Sequence, residues 1–164
     1  MDGTRCRMTG IVVALSVASL LAASPAGAAQ TFEATLDGGS QVPKVDSKAT
    51  GSATFTLSED GKAIAYTVSV HDLRDVTMAH IHIGVSGKNG PVVVWLYPAA
   101  GKPKLIKGIT NGELATGEIT AANLTGPEKG KPLSDLVQDM KSGDAYVNVH
   151  TAEHKAGEIR GEIK

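Results

Sequence analysis

The residues of this 164-residue chain best suited to chemistry are three histidines. His80 and His82 sit in MAHIHIG, and His150 closes the run AYVNVH. Side chains alternate across a β-strand, so the His80-Ile81-His82 spacing places both imidazoles on one face, about 7 Å apart at their backbones. Such a pair can close on one metal ion. A second strand ending in His150 would add the third nitrogen that a stable zinc or copper site requires. His150 shares its strand face with Tyr146 and Asn148, whereas Ala145, Val147 and Val149 point the other way, so the imidazole belongs to the polar side. His154, across the loop TAEHKAG, is the fourth candidate ligand. Met78 has the parity of His80 and His82; a thioether there would favour Cu(I) over zinc, although core packing is the simpler reading. His71, beside Asp72, reads as a solvated strand end. Asp72, Asp75 and Glu153 are the carboxylates that could orient a ligand through its second nitrogen.

The elements that must position these residues are short. Phe32, Ala34 and Leu36 alternate in TFEATL; Ala53, Phe55 and Leu57 do so in SATFTL; Ile64, Tyr66, Val68 and Val70 follow in a run that ends at His71. Each run buries one face. Asp60-Gly61 and Asn89-Gly90 are turn signals, because these residues accept the positive φ of tight hairpins, and the first pair should join two antiparallel strands. Val92 to Leu96 form a nearly continuous apolar run, as in a strand covered on both sides. Glu118-Ile119-Thr120 and the terminal GEIRGEI are further strands. Leu133, Leu136, Val137 and Met140 recur at helical spacing, with Gly143 placed to end a single short helix. The stretch from Pro98 to Lys107 reads as a surface loop or irregular hairpin. Seven or eight short strands in this length imply an all-β domain, an antiparallel β-sandwich or flattened barrel with one helix.

Upstream, Arg5 and Arg7 precede the apolar segment IVVALSVASLLAA and the small-residue stretch Ala26 to Ala29, the order of regions of a signal peptide over residues 1–29. The apolar run is short for a membrane span. The expected product is an extracytoplasmic domain of residues 30–164, periplasmic or secreted, with no membrane attachment after leader removal. Cys6 lies in the leader, so that domain has no thiol and must be held by its own core or by a bound ion. The chain carries 16 basic and 17 acidic residues; without Asp2, Arg5 and Arg7 the balance is 14 to 16. No basic stripe or arginine cluster points to nucleic acid. Arg160, between Glu158 and Glu162 on one strand face, reads as a cross-strand ion-pair partner. Asn123-Leu124-Thr125 fits the glycosylation pattern and is read as a chance match. Hydrolase and nucleotide motifs are missing from the sequence.

Three segments, GGSQVPKVDSKATGSATFTL, AHIHIGVSGKNGPVVVWLY and AYVNVHTAEHKAGEIRGEI, together resemble the CHRD domain, the module named after the repeats of chordin and found singly in exported bacterial proteins. The strands carrying HIH and VNVHTAEHKAG are also distantly similar to the copper-binding strands of the copper,zinc superoxide dismutase β-sandwich. That second likeness implies a Greek-key barrel with His80, His82 and His150 as copper ligands. The disulfide cysteines and the His- and Asp-rich zinc loop of those enzymes have no counterpart here, which argues against an enzyme. The expected function is binding of a transition metal, copper first and zinc as the alternative, for extracytoplasmic storage, transfer or sensing. Two other readings stay open: a non-catalytic protein- or matrix-binding module with structural histidines, and a superoxide dismutase-like copper redox enzyme.

Overall fold

The computed structural model describes Met1, Gly3 and residues 29–99 and 101–164, so the expected leader lies almost wholly outside the described residues. Among the described residues, seven strands, β1 (Thr31–Asp37), β2 (Thr50–Leu57), β3 (Ile64–Ile83), β4 (Val92–Tyr97), β5 (Ile106–Ile119), β6 (Ala145–Thr151) and β7 (Ile159–Glu162), accompany one α-helix, α1 (Leu133–Ser142). Every pairing among the strands is antiparallel. The order β2-β1-β7-β6-β3 closes on itself through a β2–β3 pairing, giving a five-strand barrel, and β4 and β5 attach to β3 outside the ring. No helix among the described residues is long and apolar enough to cross a membrane.

Strand β3 builds both halves of the barrel. Residues 64–71 pair with β2 and residues 76–83 with β6. Where the strand passes from one partner to the other, Asp72 and Asp75 take positive φ (58° and 52°). That conformation is costly for a residue with a Cβ but least so for Asp and Asn, whose side chains bond locally. Here the compensation comes from β5: Asn111 Oδ1 accepts the Asp72 amide at 2.8 Å, and Asp75 Oδ1 accepts the Gly108 amide at 2.7 Å. The sequence divides this strand at His71; the structure continues it to Ile83. Strand β5 is likewise longer than Glu118 to Thr120 alone, and it starts within the segment read as a loop.

The barrel is filled by the alternate residues that the pattern selects, among them Leu36, Phe55, Val68, Ile81, Val147 and Ile159. Burying each Leu, Ile or Val contributes about 1.5–3 kcal/mol. Helix α1 packs Leu133, Leu136, Val137 and Met140 inward and stops at Gly143, which is left-handed (φ 77°). Hydrogen bonds from Gly143 and Asp144 to the carbonyls of Met140 and Asp139 close that end. Met78 is half-buried and outside the apolar core, contrary to the packing role expected of it, because its face of β3 points away from the barrel interior.

Candidate metal centre

In register, Met78, His80 and His82 on β3 lie opposite His150, Asn148 and Tyr146 on β6. Cross-strand partners share a face, so one side of this strand pair is polar or aromatic apart from Met78, while the other, with Ile81, Val147 and Val149, lines the barrel. Strand β6 is nevertheless buried at every position. Loops seal the outer face: Gln41 Nε2 donates to Asn148 Oδ1 at 2.6 Å, Asn148 Nδ2 to the Ala156 carbonyl at 3.1 Å, and Asn89 Nδ2 to the Val42 carbonyl at 2.7 Å.

Under this cover the imidazoles of His80, His82 and His150 converge. They are 3%, 8% and 7% exposed, and a donor atom from each lies within 4.8 Å of the others. Two rings are oriented by main-chain carbonyls. His82 Nδ1 donates to Gly90 O at 2.9 Å and His150 Nδ1 to Lys155 O at 2.9 Å. A carbonyl can only accept, so each Nδ1 carries the proton and each Nε2 keeps its lone pair. His80 Nδ1 lies 3.1 Å from His150 Nε2 and donates to it when no ion is present. The Nε2 atoms of His80 and His82 are buried and have no hydrogen-bond partner. Orphaned buried acceptors are costly, which is the feature a bound cation would relieve.

Burial keeps all three rings neutral, the state a metal requires. Desolvation, with the neighbouring His150 and His82, lowers the pKa of His80 to about 3. Desolvation also dominates for His82, lowered to about 4 despite the Gly90 bond, with His150 and Arg160 acting in the same direction. The His150 pKa is lowered by burial against the opposing bond to Lys155.

Aromatic groups wall the cluster. Trp95, opposite His80 on β4, meets that ring edge to face at 4.2 Å. Tyr146 stacks on His82 at 4.9 Å and 14°, and its hydroxyl accepts the Gly90 amide at 2.9 Å. From the next strand, Arg160 lays its guanidinium 3.4 Å from the centre of the Tyr146 ring. Arg160 is fully buried and donates to Lys88 O, Asn89 Oδ1 and Glu162 Oε1. The sequence reads Arg160 as a cross-strand ion-pair partner; its ion pair is instead with Glu162, two residues along the same strand β7. Glu158 instead accepts hydrogen bonds from Ser47 and Thr151.

His154 lies outside the converging group. It is half-exposed, and its backbone closes the turn after β6: the carbonyl accepts from Thr151 and Gly157, and the amide bonds Thr151 Oγ1. His71 is exposed but lies within β3, opposite Thr50 and just before the Asp72–Asp75 irregularity, and not at a strand end as its sequence position suggests. Carboxylates do not orient the rings; Asp75 is engaged with Gly108 and Glu153 is exposed. Asn123 accepts from the Thr120 amide and hydroxyl at the start of a short 3-10 turn, a structural use of the NLT triplet. Sequence reasoning missed the carbonyls of Gly90 and Lys155, which leave no side-chain signature, and the walls Trp95 and Arg160. The strand parity of Tyr146 was the available clue.

The CHRD domain family model matches residues 32–163. No curated protein and no solved structure matches the chain.

Proposed function

The chain belongs to the CHRD family, and on that footing we propose that it is an exported domain that binds a transition metal, copper first, through His80, His82 and His150. The observation that carries the reading is the convergence of three buried, neutral imidazoles, two of them locked by backbone carbonyls so that Nε2 is presented. Imidazole-only ligation suits copper and zinc, and copper(II) stands above zinc in intrinsic affinity for nitrogen sites. Storage, transfer or sensing of the ion outside the cytoplasm fits the leader-like residues 1–29, and the family match starts just after them.

Calorimetric titration of the metal-free protein with Cu(II), Cu(I) and Zn(II) tests the proposal. We expect one ion to bind with Kd below about 10 μM, and His150→Ala to weaken it at least 100-fold. Absence of any such binding, or an unchanged affinity in that variant, overturns it. A binding module with structural histidines is the second reading, favoured by the His80–His150 hydrogen bond, which satisfies two ring nitrogens without an ion. A melting temperature indifferent to all three ions would select it.

A further inference from the structure

If the metal reading holds, the surroundings of the imidazoles bear on the charge of the ion. All three donors are neutral, and among the described residues no carboxylate or thiolate joins them in the converging group. The cost of burying an ion grows with the square of its charge, and three neutral ligands offset a smaller share of it for a dication than for a monocation. The fixed charge that does act on the cluster has the opposite effect. The Arg160 guanidinium is fully buried and reaches the cluster through the face of Tyr146, which in turn stacks on His82. Its counter-ion, Glu162, meets Nη2 at 2.8 Å and offsets part of that charge, but the guanidinium is the group that lies over the ring stacked on His82. On the opposite flank Trp95 covers His80 with an indole in place of a charged donor.

We propose that this site selects a monovalent soft cation, the cuprous ion, over divalent ions, and that Arg160 sets the preference by placing a positive charge, only partly offset by Glu162, behind Tyr146. Repulsion from a fixed unit charge is twice as large for a dication as for a monocation, so Arg160 penalises Cu(II) and Zn(II) more than Cu(I). Arg160 acts here as a specificity-determining residue that touches no ligand atom. The half-buried Met78, facing His150 in register, is the neighbouring side chain whose donor chemistry suits the same ion.

The test is anaerobic chelator competition for Cu(I), Cu(II) and Zn(II) on the wild-type protein and on Arg160→Met and Glu162→Gln, with the reduction potential of the copper-loaded protein measured beside it. We expect Cu(I) to bind tighter than Cu(II) and at least 100-fold tighter than Zn(II). Arg160→Met should lower the Cu(I)-to-Cu(II) affinity ratio at least tenfold, and Glu162→Gln, which frees the guanidinium of its partner, should raise it. A purely structural role would move both variants the same way. Should Arg160→Met fail to fold, the wild-type ratio and Glu162→Gln decide alone. Divalent ions held as tightly as Cu(I), or variants that shift the ratio together or not at all, overturn the proposal while leaving the metal site standing. No ion bound in any arm removes both.

Discussion

Acidifying the metal-free protein from pH 7.5 to 5.5 should cost it about 3 kcal/mol of stability, and the histidine cluster is the source. In the unfolded chain an imidazole titrates near 6.5. In the fold, burial and mutual proximity hold His80 at about 3 and His82 at about 4. The folded values are the depressed ones. The stabilisation is therefore complete above pH 6.5, erodes as the unfolded state takes up protons that the folded state refuses, and is exhausted once the folded rings protonate near pH 4 to 3. At pH 5.5 the linkage is about 1.4 kcal/mol for each ring, hence about 3 kcal/mol for the two, with His150 adding in the same direction. Typical domains have about 5–15 kcal/mol in total, so the loss is large. Urea titrations of chelator-treated protein at the two pH values measure it, and the window lies above the usual carboxylate range. A loss below about 1 kcal/mol would refute the claim that these rings are buried neutral. So would an undiminished pH dependence in a His80→Asn, His82→Asn double variant.

Three further outcomes are expected. His154→Ala should leave metal affinity within about threefold of wild type by calorimetry, since only the backbone of that residue serves the β6 turn. Gly90→Ala places a Cβ onto the Ile83 carbonyl and displaces the Gly90 oxygen that orients His82. It should cost about 1–3 kcal/mol in urea unfolding and weaken metal binding in the same preparation. Leu36→Ala, at a fully buried barrel position, should cost about 2–5 kcal/mol in the same assay.

Period-two alternation was enough to read β1, β2 and β6, a nearly continuous apolar run to read β4, and the 3.6-residue spacing of Leu133, Leu136, Val137 and Met140 to read α1. The three ligands were legible for the same reason: parity alone puts His80 and His82 together, and AYVNVH puts His150 on the polar side. What escaped was whatever depends on partners distant in sequence. The pair Asp72 and Asp75 looks like the end of a strand until Asn111 and Gly108 are seen to satisfy it. Strand β5 carries Gly108 and Gly112 at positive φ and a largely exposed surface, so its pattern resembles a loop. His154 is close to His150 in sequence, but the tight turn between them diverts its side chain from the cluster. Arg160 looked like an ordinary salt-bridge residue because nothing local announces that loops from elsewhere will bury it.

Because β3 is a single strand shared by both ends of the barrel, a grip on His80 and His82 is a grip on the same backbone that hydrogen-bonds Thr50 through Leu57 at the far side. An occupant of the cluster would therefore act as a rivet for the whole shell: amide protons along residues 64–71, remote from any ligand, would slow their exchange with solvent whenever it is seated. Release would then follow either the peeling back of the covering loops or the collapse of the entire cylinder.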